Sequence, residues 1–308
     1  MTLHPQAQAF VDQLAQDNPP SWEEMGVEAA REAFTSFAPI FGEGPEDVQV
    51  SDHVLADHVP TRLYRPSESQ DLPVVVYFHG GGWVLGDLET HDPLCRRLAK
   101  ESGCAVLSVD YRRPPEAPFP IPLSDCYDVT SAVAESADEL GLDASRLIVA
   151  GDSAGGNLAA AVALRAKLNR GPEIMHQVLI YPVVSPATET DSYQRYAEGH
   201  GLTRGAMQWF WTQYLPDRGA DEVGEADLLS ADLSGLPPVH LFAAEYDVLI
   251  DEGAALAGRL RESGVAVTYQ LYAGHLHGFI HFAGLFDDGL KATSDIAAAI
   301  RGIVSGTA

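Results

Sequence analysis

The chain is poor in positive charge. It has 19 lysines and arginines against 44 aspartates and glutamates, and only Lys100, Lys167 and Lys291 are lysines. A formal net charge of -25 repels phosphate, so neither nucleic acid nor an anionic membrane surface is an expected partner. Repulsion among carboxylates eases as salt rises. The charge therefore fits a salt-tolerant protein, and it fits an ordinary acidic one equally well. Long apolar runs are also missing, which argues against a membrane-spanning helix. Residues 1–24 have neither the basic start nor the apolar centre of a secretory leader, so a cytoplasmic location is expected. Cysteine is scarce: Cys95, Cys104 and Cys126 are odd in number and lack metal-ligand spacing. They are expected to be reduced, buried thiols.

Hydrophobic residues make up 46% of the chain and charged residues 20%, enough apolar material for one large core with a small accessory element. Residues 1–45 read as two short helices around Asn18-Pro19-Pro20-Ser21. Residues 48–66 read as an edge hairpin. From residue 73 strands and helices alternate: strands at 74–78, 105–109, 147–150, 177–181, 239–244 and 267–272, helices at 92–102, 122–139, 154–168 and 288–304. Asp251 is expected to cap a further helix ending near Gly264. This alternation predicts an α/β fold with a mostly parallel sheet covered on both faces. Residues 185–235 are too long for a simple connection, and Met207, Trp209, Phe210, Trp211 and Tyr214 crowd one stretch of them. The expected organisation is a helical cap segment at 1–45, a core at 46–184, a cap insertion at 185–235 and the rest of the core at 236–308.

The strongest chemical signal is Gly151-Asp152-Ser153-Ala154-Gly155, between a predicted strand and a predicted helix. That setting suits a nucleophile elbow, in which small neighbours allow a tight turn that lifts the serine hydroxyl. Serine needs a base, and the base needs an acid to orient it. Asp247 and His277 follow two later strands at their carboxyl ends, where open α/β sheets place their ligands. Asp251 is a rival acid, better explained by capping, and His275 a rival base. A metal bound by His275 and His277 lacks a third ligand nearby in the sequence. His200 and His281 read as surface or packing residues. The second signal is His79-Gly80-Gly81-Gly82-Trp83 after the first central strand. The Lys-Ser/Thr of a P-loop is missing, as is G-x-G-x-x-G spacing, so an oxyanion hole is the better reading. Its donors would be the N–H groups of Gly81, Gly82 and Ala154, with His79 bracing the loop. Phe37, Trp83, Trp209 and Phe279 are candidates for an apolar substrate pocket.

With these motifs the chain resembles the hormone-sensitive-lipase-like group of α/β-hydrolases, the bacterial family IV esterases with the HGGG signature. The resemblance also rests on Gly86-Asp87, Asp110-Tyr111-Arg112, the run from Pro115 to Pro120, Gly156-Asn157, Asp247-Val248-Leu249, Asp251-Glu252-Gly253 and His277-Gly278-Phe279. These run in order over about residues 60 to 280. The departures are Arg113-Pro114 after the tyrosine-arginine pair and Val248 where the group has proline. The resemblance implies an eight-stranded hydrolase sheet with a helical cap. It implies cleavage of small-molecule esters of short to medium acyl chains by Ser153, Asp247 and His277, with no cofactor or metal and a possible homodimer.

Overall fold

The computed structural model describes residues 2–216 and 223–307; part of the expected cap insertion, residues 217–222, lies outside them. Helices α1 (Pro5–Asp17), α2 (Trp22–Met25), α3 (Val27–Thr35) and α4 (Ala38–Phe41) come first. The expected second helix is therefore three pieces, and Gly26, at φ 73°, makes the first break. A hairpin follows, β1 (Gln49–Leu55) and β2 (Val59–Arg65), then β3 (Leu72–Phe78), α5 (Leu88–Ser102), β4 (Ala105–Val109), α6 (Ile121–Glu135), β5 (Leu142–Asp152), α7 (Ala154–Asn169) and β6 (His176–Ile180). The last part holds α8 (Asp191–Arg195), α9 (Arg204–Tyr214), β7 (Val239–Tyr246), α10 (Ile250–Glu262), β8 (Val267–Leu276) and α11 (Asp287–Ser305).

The eight strands form one sheet in the order β1-β2-β4-β3-β5-β6-β7-β8. β1 and β2 run antiparallel, and the six strands from β4 to β8 are mutually parallel. All seven residues of β3 are buried, as expected of a strand covered on both faces. Two apolar clusters fill the spaces on either side of the sheet. One is built on Val74, Val76 and Phe78 of β3, the other on Val75 and Tyr77, which follows from the period of two. The three cysteines are free and buried. No helix among the described residues is long and apolar enough to cross a membrane.

The strand order places the site. β4 lies on one flank of β3 and β5 on the other, so successive connections leave the sheet in opposite directions and open a crevice beyond the carboxyl ends. The glycine loop after β3 and Ser153 after β5 both face that crevice. Gly155 in the first turn of α7 lets the helix seat against the sheet: a Cβ there would come within 1.9 Å of the Phe78 carbonyl oxygen.

Candidate active site

Ser153 joins β5 to α7 with φ 56° and ψ -117°, a left-handed value that a residue bearing a Cβ adopts only at a cost. The turn is held by its neighbours: Ser153 N–H donates to the Ile180 carbonyl (2.8 Å), and Val183 and Asn157 N–H groups return to the Ser153 carbonyl. The hydroxyl is thereby aimed at the loop after β8. His277 Nε2 lies 3.0 Å from Ser153 Oγ, and its Nδ1 lies 2.6 Å from Asp247 Oδ2. The other Asp247 oxygen accepts the Leu249 N–H at 2.9 Å, which fixes the carboxylate. Asp247 is almost fully buried, whereas the His277 side chain keeps 12% of its surface exposed. The arrangement places an imidazole nitrogen within reach of the hydroxyl proton, with a buried carboxylate to orient the ring and offset its charge.

The sequence rivals fall elsewhere. Asp251 is not the cap of α10, whose N-cap position is Leu249; its carboxylate accepts the Ser192 N–H at 2.7 Å and ties α8 to α10. His275 pairs with Asp288 at 2.9 Å. His200 stacks on Tyr246, and His281 is buried.

Gly80 N–H donates to Asp152 Oδ1 at 3.0 Å, which ties the loop bearing Gly81 and Gly82 to the turn that continues into Ala154. Ala154 opens α7, where an N–H has no partner within the helix. Among the described residues the Gly81 and Gly82 N–H groups donate to no protein acceptor. Gly81 is fastened instead through its carbonyl, which accepts from Val84 (3.2 Å) and Leu85 (2.8 Å). His79 lies behind the loop, fully buried and stacked on Tyr111, with Nδ1 2.9 Å from the Gly80 carbonyl. Burial, together with nearby His91 and Arg113, pushes its pKa down to about 3, so it braces the loop as a neutral ring.

Asp152, part of the elbow motif, had no role assigned from sequence. Its Oδ1 accepts from Tyr77 Oη (2.7 Å) and from Gly80 N–H (3.0 Å), and His91 Nε2 is 3.4 Å away. Burial alone would raise its pKa, but the opposing charge and hydrogen bond of His91 and the other donors hold it below the usual carboxylate range. An ionised Asp152 therefore ties the glycine loop to the elbow. Glu252 was also unassigned. It is sealed from water, accepts the Val184 N–H at 2.7 Å, and burial drives its pKa well above the ordinary value. In the sequence it stands out only as part of Asp251-Glu252-Gly253, with no role attached.

The pocket residues need correction. Trp83 and Phe279 have no exposed surface, so neither lines an open cavity. Trp83 stacks on Tyr214 at 4.2 Å, and Phe279 packs on Tyr272 and His275. Trp209 and Phe37 remain half-buried, Phe37 within a ring cluster with Trp22 and Phe34. The aromatic side chain pressed on the glycine loop is Phe210: a Cβ on Gly82 would sit 2.2 Å from its ring. A signal for this existed, because Met207, Phe210, Trp211 and Tyr214 fall at i, i+3, i+4 and i+7 and are the buried stripe of α9.

Comparison with known proteins agrees with the geometry. A family profile described as alpha/beta hydrolase fold matches residues 75–281. The chain is 39% identical over 273 residues to carboxylic ester hydrolase LipN of Mycobacterium tuberculosis, covering 85% of this chain and 73% of that one. It is 37% identical over 275 residues to ethyl acetate hydrolase of Pseudomonas putida, covering 85% of each. Among solved structures, the Pyrobaculum calidifontis esterase superposes with a TM-score of 0.90 at 40% identity, covering 98% of this chain and 99% of that one. With the elbow, the glycine loop and these relatives in agreement, the chain belongs to the alpha/beta hydrolase fold family, in its hormone-sensitive-lipase-like group.

Proposed function

We propose that this protein hydrolyses carboxylic esters of short to medium acyl chains through an acyl-enzyme on Ser153. The observation that carries the reading is the line Asp247–His277–Ser153; the N–H groups of Gly81, Gly82 and Ala154 complete it in this reading as the oxyanion hole. As the Ser153 Oγ–carbon bond forms, His277 Nε2 takes the hydroxyl proton and the carbonyl π pair moves to oxygen. The three N–H groups hold that oxyanion; one such donor is worth about 3 kcal/mol at the transition state. Collapse expels the alcohol, protonated by His277. Water then loses its proton to His277 and attacks the acyl carbon, releasing the acid and restoring Ser153. Asp247 keeps the ring in the tautomer with Nδ1–H and offsets the imidazolium charge.

The helices before residue 46 and the 185–235 insertion serve in this reading as a cap. Phe210 against Gly82 sets a low roof over the reacting carbonyl, which favours small acyl groups, with Trp209 and Phe37 further out. The reading extends to salt tolerance, supported by the acidic surplus, and to a homodimer, supported by the open edge of β8 with Leu271 exposed.

The test is hydrolysis of p-nitrophenyl esters from acetate to palmitate by the wild type and Ser153→Ala, at low and high salt. The expected result is highest activity on the shorter chains and a loss of at least about 10⁴-fold in the variant. A wild type inert on every ester would move the reading to amides, lactones or a binding role. Activity that survives in Ser153→Ala would overturn the assigned nucleophile.

A further inference from the structure

His4, His275 and Asp288 come from three separated parts of the chain and meet at one point. His275 Nε2 is 2.9 Å from Asp288 Oδ2, and His4 Nε2 is 3.7 Å from the same oxygen. One ligand atom from each residue lies within 4.8 Å of the other two. Bonds of about 2.0–2.1 Å in a tetrahedral zinc site put ligand atoms roughly 3.3 Å apart. The distances to the carboxylate oxygen bracket that value.

The ligand positions are held by the fold. His4 N–H donates to the Gly274 carbonyl at 2.9 Å, and Asp287 N–H donates to Gln6 Oε1 at 3.1 Å. The start of α1 is thus laced to the end of β8 and to the first turn of α11. The His4 ring stacks on His275 at 4.9 Å and 25°, and His275 stacks on Phe279 at 4.4 Å. Rings rather than a second hydrogen bond orient His275, whose Nδ1 has no partner among the described residues. The point is open to ions: the side chains of His4 and Asp288 are 34% and 41% exposed, against 4% for His275. The other such cluster, His91, Asp152 and His281, is sealed on all three members, and Asp152 is already spent on Tyr77 and Gly80.

We propose that His4, His275 and Asp288 form a site for a zinc-class divalent cation, two imidazoles and a carboxylate with water completing the shell. The bound ion would clamp the N-terminal segment to the loop that carries His277, two residues beyond His275. It acts on stability and takes no part in ester cleavage.

The test uses the untagged full-length chain, stripped with chelator, and titrates it with Zn²⁺ by calorimetry and with Co²⁺ by visible absorption. The expected result is one equivalent bound per chain and a four-coordinate Co²⁺ spectrum. Zn²⁺ at a hundredfold excess over Kd should raise Tm by roughly 5 °C. His4→Ala and Asp288→Asn should each weaken binding by at least about 100-fold, while metal-free esterase activity stays at the wild-type level. Absence of saturable one-to-one binding in the wild type would overturn the proposal. So would binding that survives unchanged in both variants.

Discussion

Two histidine–aspartate pairs converge on neighbouring residues of the elbow, and they differ in what the second ring nitrogen does. In His277–Asp247 the second nitrogen reaches the Ser153 hydroxyl, and the ring keeps some exposure. In His91–Asp152 it is engaged by Thr90 Oγ1 at 3.0 Å, and everything around the pair is buried. The carboxylates differ too. Asp247 accepts one backbone amide besides its histidine, whereas a single oxygen of Asp152 gathers Tyr77, Gly80 and His91. In the proposed mechanism the first pair moves a proton, while the second holds two loops together. Contact with a carboxylate on one side and a hydroxyl on the other is common to both rings; what separates them is that Thr90 Oγ1 is also bound to Asp87 in a buried setting, whereas the His277 ring keeps some exposure beside Ser153.

The sharpest way to break this comparison is Asp247→Asn. An amide there favours the wrong His277 tautomer, so kcat/KM should fall about 10⁴-fold with little change in Tm. Steady-state kinetics beside thermal unfolding measures both. The mirror experiment is Asp152→Asn, which leaves Tyr77 and His91 short of a buried anion. Unfolding free energy should drop by about 2–4 kcal/mol, while the folded fraction keeps activity within about tenfold of wild type. If Asp152→Asn lost activity as steeply as Asp247→Asn while staying as stable as wild type, the division of labour would be wrong.

A smaller effect is expected at Glu252. Its raised folded pKa means that the native chain keeps a proton that the unfolded chain has released above the ordinary value of 4.5. The unfolded state gains by ionising, so this residue's contribution to stability falls as pH rises from 4.5 through the folded pKa. Glu252→Gln can still accept from Val184 and does not titrate. Denaturant unfolding should find it about 1 kcal/mol more stable than wild type at pH 8, with the gain fading toward pH 4. A gain independent of pH would mean that Glu252 is ionised in the native protein.

Much of this site was legible because its chemistry is local. The elbow and the glycine loop are short strings between recognisable elements, and Asp247 and His277 sit just past strands in the expected chain order. Element ends were harder. β5 begins at Leu142, well before the apolar 147–150, because its polar start pairs with Leu72 and Pro73. α5 begins at Leu88 because Asp87 and Thr90 cap each other, and Pro93 within the helix hid that start. Residues whose meaning lies in distant partners were not legible at all. Asp152 depends on Tyr77 and His91, and Glu252 on Val184 at the mouth of the insertion. Phe210 was passed over for Trp209, although the helical period put it on the buried face.

The left-handed turn at Ser153 has a consequence for how such a protein can change. A side chain at φ 56° costs about 1 kcal/mol or more relative to glycine, which is at ease there. Ser153→Gly should therefore outlast Ser153→Ala on heating while being equally inert. Under selection for durability alone, glycine would be favoured over serine at this turn.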